Sequence, residues 1–171
     1  MEKLNFHPSK PEPFHVDADG LPKVPFHGRS SLLNEIKLCG KEKDHCRARR
    51  LHYYAIENGL ISKDAYIASS LITTYAKCGM LKEAHAIFDE LPVRNIVTWN
   101  ALSCGYAQNG FGEEALKCMD QMKAEGMSPD AITYLCGLKA CCSLGFLEKG
   151  YMLHAEIVME EFDNYPFIGN M

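Results

Sequence analysis

The chain contains 171 residues, of which 47% are hydrophobic, and its formal net charge is −4. This length suits one ordinary domain or four to five short repeats. The acidic balance argues against a protein that binds nucleic acid only by neutralising phosphates, because such proteins are usually basic. No apolar run approaches the roughly 18 residues that a membrane-spanning helix needs, so we expect no membrane partner.

Residues 1–28 differ from the rest of the chain because they hold five prolines and no periodic hydrophobic pattern. Such a segment cannot bury enough apolar surface to offset the entropy lost on ordering, so we predict that it is disordered. It has no arginine, one serine and four acidic residues. Organellar transit peptides are rich in Arg and Ser and poor in acids, so this segment is a poor match to one.

From residue 29 onward the hydrophobic pattern is helical, and short segments recur at a fixed spacing. The segment YAKCG at residues 75–79 is followed 31 residues later by YAQNG at residues 106–110. The same offset relates Ala84 to Ala115. Each unit therefore reads as a helix, a turn and a second helix, and the glycine that closes each segment is expected to end the first helix in a left-handed conformation.

The apolar residues of one unit lie on one face of each predicted helix. Leu71 and Tyr75 are four residues apart, as are Ala84 and Phe88 in the second helix. A single hairpin of this size cannot bury such a face, whereas stacked neighbours can. We therefore predict an all-α, right-handed α-solenoid of stacked helical hairpins. A compact four-helix domain is the alternative, and the fixed repeat spacing disfavours it.

The units resemble the motifs of the plant pentatricopeptide repeat (PPR) family. Residues 96–130, which begin with IVTWNALSCGYAQNG and end with GMSPD, resemble a full 35-residue PPR motif. Residues 65–95, with YAKCG and FDELP, resemble the short 31-residue variant. Residues 29–64 and 131–165 resemble the long variant, and residues 166–171 look like the start of a truncated repeat. This order resembles the PLS subclass, named for its standard, long and short units.

The resemblance implies that the chain binds single-stranded RNA, one base per repeat. In the PLS subclass this recognition serves C-to-U RNA editing or other RNA processing. It implies a mitochondrial or chloroplast location, with RNA-editing or RNA-processing proteins as partners. The deamination itself needs a zinc signature of the form HxE…PCxxC, which this sequence lacks. We therefore expect no enzymatic activity, no cofactor and no small-molecule substrate.

The resemblance also implies which residues read a base: one on the first helix, and one at the end of the unit. In the standard unit these are Asn100 and Asp130, which resemble the uracil-selecting pair. In the short unit they are Ser69 and Asn95, which resemble the adenine-selecting pair. Asn170 would begin a further pair, so the implied RNA reads 5′-x-A-U-x-pyrimidine.

An apolar side chain three positions before each first reader would support the base by stacking. Tyr66 and Val97 hold this position, and the spacing puts them on the same helix face as the reader. Ile132 would close the other side of the base that Asn100 reads. Trp99 lies next to the reader instead, so we expect it in the core of the hairpin.

Helix capping is the alternative role for these polar residues. Asn and Asp are favoured at helix N-termini because their side chains accept hydrogen bonds from free backbone N–H groups. Asn95, Asn100 and Asp130 all lie near predicted helix starts. The long units depart from the reader pattern, because Leu33 and Leu135 hold the first reader position and cannot hydrogen-bond a base. We expect those units to act as spacers or to contact proteins.

The eight cysteines fall mostly within helical apolar patterns and form no CxxC pair. We predict that they are reduced, mostly buried thiols in an intracellular compartment. A metal site made from Cys39, His45, Cys46 and His52 is disfavoured, because Cys39 and Cys46 are not closely spaced and no second pair accompanies them. His52 also matches His154 in the repeat pattern, which indicates a structural position.

Two alternatives to RNA binding follow from the sequence. A protein-interaction scaffold is favoured by the acidic balance, since residues 64–130 hold five basic and nine acidic residues. A truncated product without independent function is the other alternative, because the chain begins with an unusual segment and ends inside a repeat.

Overall fold

The structure is a computed structural model that describes residues 28–160, and nine α-helices make up most of that range. Their bounds are α1 (Arg29–Glu42), α2 (His45–Glu57), α3 (Leu60–Lys63), α4 (Ala65–Lys77), α5 (Leu81–Asp89), α6 (Ile96–Gln108), α7 (Gly112–Ala124), α8 (Ala131–Leu144) and α9 (Leu147–Met159). No β-strand occurs among the described residues. The predicted all-α class is confirmed.

Eight of these helices pair as four hairpins, α1/α2, α4/α5, α6/α7 and α8/α9. The first helices of successive hairpins pack in chain order, α1 against α4, α4 against α6 and α6 against α8. Each hairpin therefore covers an apolar face of the one before it, which is the packing of an α-solenoid. The helices α4, α6 and α8 begin at Ala65, Ile96 and Ala131, where the sequence pattern starts its units.

The first long unit contains one element that the two-helix pattern does not predict. The helix α3 is a single turn between α2 and α4, and Gly59 precedes it with a φ of 60°. Ile61 of this turn is buried in the core. Asp64 follows it, and its carboxylate accepts hydrogen bonds from the first backbone N–H groups of α4. A buried side chain and a shared cap thus fix the extra turn against α4.

Two turns behave as the repeated glycines predict. Gly79 and Gly110 follow α4 and α6 with φ values of 73° and 82°. Side chains other than that of glycine rarely adopt this left-handed conformation, so both positions favour glycine. Pro92 and Pro129 lie beyond the ends of α5 and α7, where a helix must stop.

The core runs along the inside of the hairpins. Leu71 and Tyr75 are buried on α4, and Ala84 and Phe88 are buried on α5, so the predicted apolar faces are confirmed. Trp99 packs edge-on against Phe88 with ring centroids 4.5 Å apart. The expectation that this tryptophan is a core residue is therefore confirmed.

No helix within residues 28–160 is both long enough and apolar enough to cross a lipid bilayer. The predicted disorder of residues 1–28 falls almost entirely outside the described residues, as does the start of a truncated repeat at residues 166–171.

Candidate functional site

The first helices of the hairpins line one open groove with a volume of about 500 Å³. Side chains of α1, α4 and α6 form its walls together with the N-terminus of α8. Its polar and charged lining residues are Lys37, Lys41, Ser69, Ser70, Thr73, Thr74, Lys77, Asn100, Gln108 and Asp130. Three of the predicted base readers therefore face one surface, and the predicted platform residues Val97 and Ile132 line it too.

In the last three hairpins the acidic residues of the helices lie only on the second helices, whereas in the first hairpin α1 carries Glu35 and Glu42. The helices α4, α6 and α8 contain no Asp or Glu, whereas α5, α7 and α9 contain seven. The groove is lined by Lys37, Lys41 and Lys77, and its one acidic lining residue is Asp130. The negative charge of the whole chain thus conceals a locally basic groove. The net charge of the chain is therefore a poor guide to whether this groove can bind the phosphates of a nucleic acid.

Sequence reasoning missed these lysines, although a signal was present. Lys41 and Lys77 are each the thirteenth residue of their unit, near the end of a first helix. Neither makes a salt bridge to any residue in the range 28–160. Charge counted per helix, rather than over the chain, would have identified them.

Asn100 and Asp130 lie far apart in the sequence, but their side chains are in contact. Nδ2 of Asn100 donates a hydrogen bond to Oδ1 of Asp130 at 2.9 Å. The same Oδ1 accepts the backbone N–H of Thr133 at 2.9 Å, so Asp130 also caps α8. The capping alternative therefore holds for Asp130 and coexists with its contact to Asn100. The second oxygen, Oδ2, accepts no hydrogen bond from the residues that the structure describes.

Ser69 and Asn95 are arranged differently. The hydroxyl of Ser69 donates to the backbone carbonyl of Tyr66 at 3.2 Å. Oδ1 of Asn95 accepts the backbone N–H of Thr98 at 3.1 Å as part of a capping box. No hydrogen bond joins Ser69 to Asn95 in the described part of the chain. The capping alternative therefore holds for Asn95, and only Ser69 of this pair lines the groove.

The three predicted platform residues are exposed apolar side chains at one repeated position. Tyr66, Val97 and Ile132 are the second residues of α4, α6 and α8, with 62%, 38% and 53% of their surface exposed. An exposed apolar residue is ordinary by itself. Its recurrence at the same helical position in three successive units is a pattern that core packing does not explain.

Tyr66 already has one stacking partner. The guanidinium of Arg29 lies over its ring at 5.2 Å from the centroid, and also pairs with Asp64. The hydrogen bond from Arg29 lowers the pKa of the Asp64 carboxyl below its ordinary value. Asp64, the last residue of the first long unit, is thus engaged by Arg29 and by the start of α4.

The remaining reader positions contribute no hydrogen-bonding side chain to the groove. Leu33 is half-buried and packs against the core, and Leu135 is half-buried on α8. Asn170, the predicted first reader of a further unit, lies outside the described residues.

A disulfide joins two units beside the reader pair. Cys104 of α6 and Cys136 of α8 are bonded, with their Cα atoms 5.2 Å apart. This corrects the prediction that all eight cysteines are reduced. The bond could not be read from the sequence, because the two residues belong to different units and meet only through stacking. Burial raises the pKa of the free Cys118 thiol to about 12 and that of Cys39 to about 11.

The four residues considered for a metal site do not converge. His45 and Cys46 are exposed, whereas Cys39 is buried. Nδ1 of His52 lies 3.1 Å from the hydroxyl of Tyr75, in the interface between α2 and α4. Within residues 28–160, no group of three or more His, Cys, Asp and Glu side chains is placed to hold a metal ion.

Two family models match this chain. A model of the PPR repeat matches residues 66–96, and a model of the PPR repeat family matches residues 94–143. A chloroplastic pentatricopeptide repeat-containing protein of Arabidopsis thaliana is 40% identical over 133 residues, which are 77% of this chain and 16% of that protein. A mitochondrial one from the same plant is 41% identical over 111 residues, which are 65% of this chain and 14% of that protein.

Among solved structures, the crystal structure of the pentatricopeptide repeat protein PPR10 from maize is similar. The TM-score is 0.63 at 24% identity, over 77% of this chain and 19% of that one. This likeness confirms the predicted α-solenoid. The chain spans less than a fifth of the length of each of these three proteins. The family models and the plant relatives together support the assignment of this chain to the pentatricopeptide repeat family.

Proposed function

We propose that this chain binds single-stranded RNA along the groove, one base per repeat. The observation that carries the proposal is the row of exposed apolar side chains at Tyr66, Val97 and Ile132, each at the same position of its first helix. Single-stranded nucleic acid is recognised by stacking bases on such platforms while polar side chains meet the base edges. The row has that arrangement, because Ser69 and Asn100 lie one helical turn after the first two platforms.

One base is held between Val97 and Ile132 and faces Asn100 and Asp130. Asn100 keeps one N–H of its amide for this base, because the other N–H is donated to Oδ1 of Asp130. Oδ2 of Asp130 provides a hydrogen-bond acceptor beside it. A donor next to an acceptor suits the Watson–Crick edge of uracil, which presents the O4 acceptor next to the N3–H donor.

The phosphates of the strand lie near the lysines of α1 and α4. Lys41 and Lys77 are exposed and occupy the same position of successive units. The absence of acidic residues from α4, α6 and α8 removes repulsion along the path of the strand. The seven acids of α5, α7 and α9 belong to the helices that do not line the groove.

In the cell, this recognition serves C-to-U editing-site selection or another step of RNA processing. The order of units, which resembles the PLS subclass, supports the editing role, and RNA-editing or RNA-processing proteins are then the partners. A mitochondrial or chloroplast location is supported by the organelles in the names of the Arabidopsis relatives. The chain acts by binding and not as an enzyme.

The substitution Asn100→Ser tests the reading of one base. It leaves a Ser/Asp pair, which resembles a guanine-selecting combination, so the preference at that base should move from uracil towards guanine. Short RNAs that differ only at this base, measured by fluorescence anisotropy, provide the readout. A preference that does not move would contradict the assignment of Asn100 and Asp130 as readers.

The double substitution Lys41→Gln/Lys77→Gln is the matched control for this experiment. Removing two phosphate contacts should weaken binding to all the RNAs equally and reduce the salt dependence of log Kd by roughly 1.4. Base preference should stay unchanged. Binding that is insensitive to these lysines would argue that the strand follows another path.

A further inference from the structure

We infer that Thr133 is the residue that positions Asn100 for base reading. This inference rests on the function proposed above and concerns how the reader pair is held. Thr133 is the third residue of α8 and only 1% of its surface is exposed. It therefore cannot touch RNA itself and acts through the side chains beside it.

The hydroxyl of Thr133 takes part in two contacts of different kinds. It accepts the backbone N–H of Asp130 at 3.1 Å, which completes the capping box of α8. Its single proton has two acceptors within reach, Oδ1 of Asn100 at 2.7 Å and Oδ1 of Asp130 at 3.0 Å. The shorter contact assigns the proton to Asn100. Oδ1 of Asp130 already accepts two N–H groups, which supports the same assignment.

This hydrogen bond fixes which way the Asn100 amide points. Its oxygen is held by Thr133 and its nitrogen by Asp130. The flipped amide would set two acceptors against each other at Asp130 and would give up the bond that Thr133 now donates. Asn100 therefore presents an N–H to the base, and Asp130 presents an oxygen.

The order of donor and acceptor distinguishes uracil from cytosine. Uracil has the O4 acceptor next to the N3–H donor, whereas cytosine has the N4–H donor next to the N3 acceptor. A reader with a fixed order matches one base and opposes the other. Without the hydroxyl of Thr133, the Asn100 oxygen loses its partner, and only the bond to Asp130 still orients the amide. The flipped amide, which offers its oxygen to the amino group of cytosine, is then disfavoured less than in the wild type.

The preceding unit supplies a matched comparison. Thr98 holds the same position in α6, and its hydroxyl completes the capping box with the backbone of Asn95. It makes no hydrogen bond to the reader Ser69, which donates to the carbonyl of Tyr66 instead. Removing the hydroxyl of Thr98 therefore weakens an equivalent helix cap and leaves both hydrogen bonds of the Asn100 amide in place.

The test compares Thr133→Val, Thr133→Ser and Thr98→Val in the full chain, with RNAs that carry U or C at the base facing Asn100. The ratio of the two Kd values should fall about fivefold in Thr133→Val, which corresponds to the loss of one neutral hydrogen bond. Thr133→Ser should restore the ratio, and Thr98→Val should leave it unchanged. An unchanged ratio in Thr133→Val, or an equal fall in Thr98→Val, would overturn the inference.

A measurement without RNA separates this inference from the proposed function. The side-chain NH₂ protons of Asn100, followed by NMR in the free protein, should exchange with solvent faster in Thr133→Val than in the wild type. The exchange in Thr133→Ser and Thr98→Val should match the wild type. Equal exchange in all four proteins would overturn the positioning role. Faster exchange in a protein that binds no RNA would support that role and overturn the proposed function.

Discussion

Two junctions join equivalent helices, one between α6 and α8 and the other between α4 and α6, yet the two junctions are held in different ways. At the first, Asn100 and Asp130 are hydrogen bonded and a disulfide joins Cys104 to Cys136. At the second, the helices approach so closely that a Cβ on Gly105 would lie 2.8 Å from the Cβ of Ala76. A side-chain pair and a covalent bond hold the first junction. Close backbone packing holds the second, together with one hydrogen bond from Nδ2 of Asn109 to the carbonyl of Ala76 at 2.9 Å.

This difference has a consequence for base reading. The Asn100/Asp130 pair is assembled before any ligand arrives, so little ordering is needed on binding. Ser69 and Asn95 instead satisfy their own helices and would have to exchange those bonds for contacts to a base. If the proposed function holds, the same positions in neighbouring units offer one reader pair that is preorganised and one that must form on binding.

Removing the disulfide should give the largest effect, because it deletes the covalent part of the α6/α8 junction. It closes a sequence separation of 32 residues, so Cys136→Ser should lower the free energy of unfolding by about 3–4 kcal/mol. Urea denaturation without reductant provides the measurement. Dithiothreitol should bring the wild type to the stability of the variant and should leave the variant unchanged.

Cys142→Ser is the control for this experiment, since Cys142 is an exposed free cysteine on the same helix, α8. Its stability should equal that of the wild type and should respond to dithiothreitol in the same way. Titration of the unfolded, unreduced protein should find six of the eight cysteines as thiols. Eight titratable thiols, or no response to reductant, would contradict the cross-link.

The junction between α2 and α4 extends the comparison, because it holds a polar pair, His52 and Tyr75, in which the histidine titrates. Burial lowers the pKa of His52 from 6.5 to about 4, so the folded protein favours the neutral imidazole. The stabilisation this gives is present above pH 6.5 and is lost as the pH falls towards 4. Between pH 7.5 and pH 5 the free energy of unfolding should fall by about 2 kcal/mol from this residue.

A variant without the titrating pair isolates this contribution. His52→Leu/Tyr75→Phe removes both members, so neither is left as an unpaired polar group in the interface. The pH dependence of its urea midpoint should be shallower than that of the wild type over this interval. If the two proteins gave parallel curves, the pKa of His52 would be the same in the folded and unfolded states, which contradicts the shift expected from its burial.

The sequence was sufficient for the fold because the information needed is local and repeated. The spacing of Tyr75 and Tyr106, with a glycine four residues after each, predicts two equivalent helices and their turns. The buried side chains and the left-handed glycines confirm this. The extra turn α3 was not predicted, because four residues anchored by Ile61 produce no periodic signal.

The site was only partly accessible to the same reasoning. The sequence identifies Asn100 and Asp130 as candidates, but their hydrogen bond and the contact of Asn100 with Thr133 depend on how far α6 lies from α8. The disulfide between Cys104 and Cys136 also depends on how close α6 lies to α8. The basic groove was missed for another reason. A sum of charges over the chain combines the first helices, which line the groove, with the acidic second helices, which do not.

The smallest predicted effect tests whether Asn95 can be made to read a base as Asp130 is proposed to do. Asn95→Asp keeps a good N-cap for α6 but replaces a side chain that can donate with one that only accepts. The N1 atom of adenine is also an acceptor and opposes a carboxylate, whereas the N1–H of guanine donates to it. The preference at this base should therefore move from adenine to guanine by about 1 kcal/mol, roughly fivefold.

Asn95→Ser separates reading from capping at this position. Serine also caps a helix well, but its shorter side chain does not reach a base, so the adenine preference should weaken without a gain for guanine. Competition binding with RNAs that differ only at this base measures both variants. If all three proteins keep the same preference, Asn95 is only a helix cap. In that case Asn100 and Asp130 form the only complete reader pair of these two units, and that pair is already assembled in the free protein.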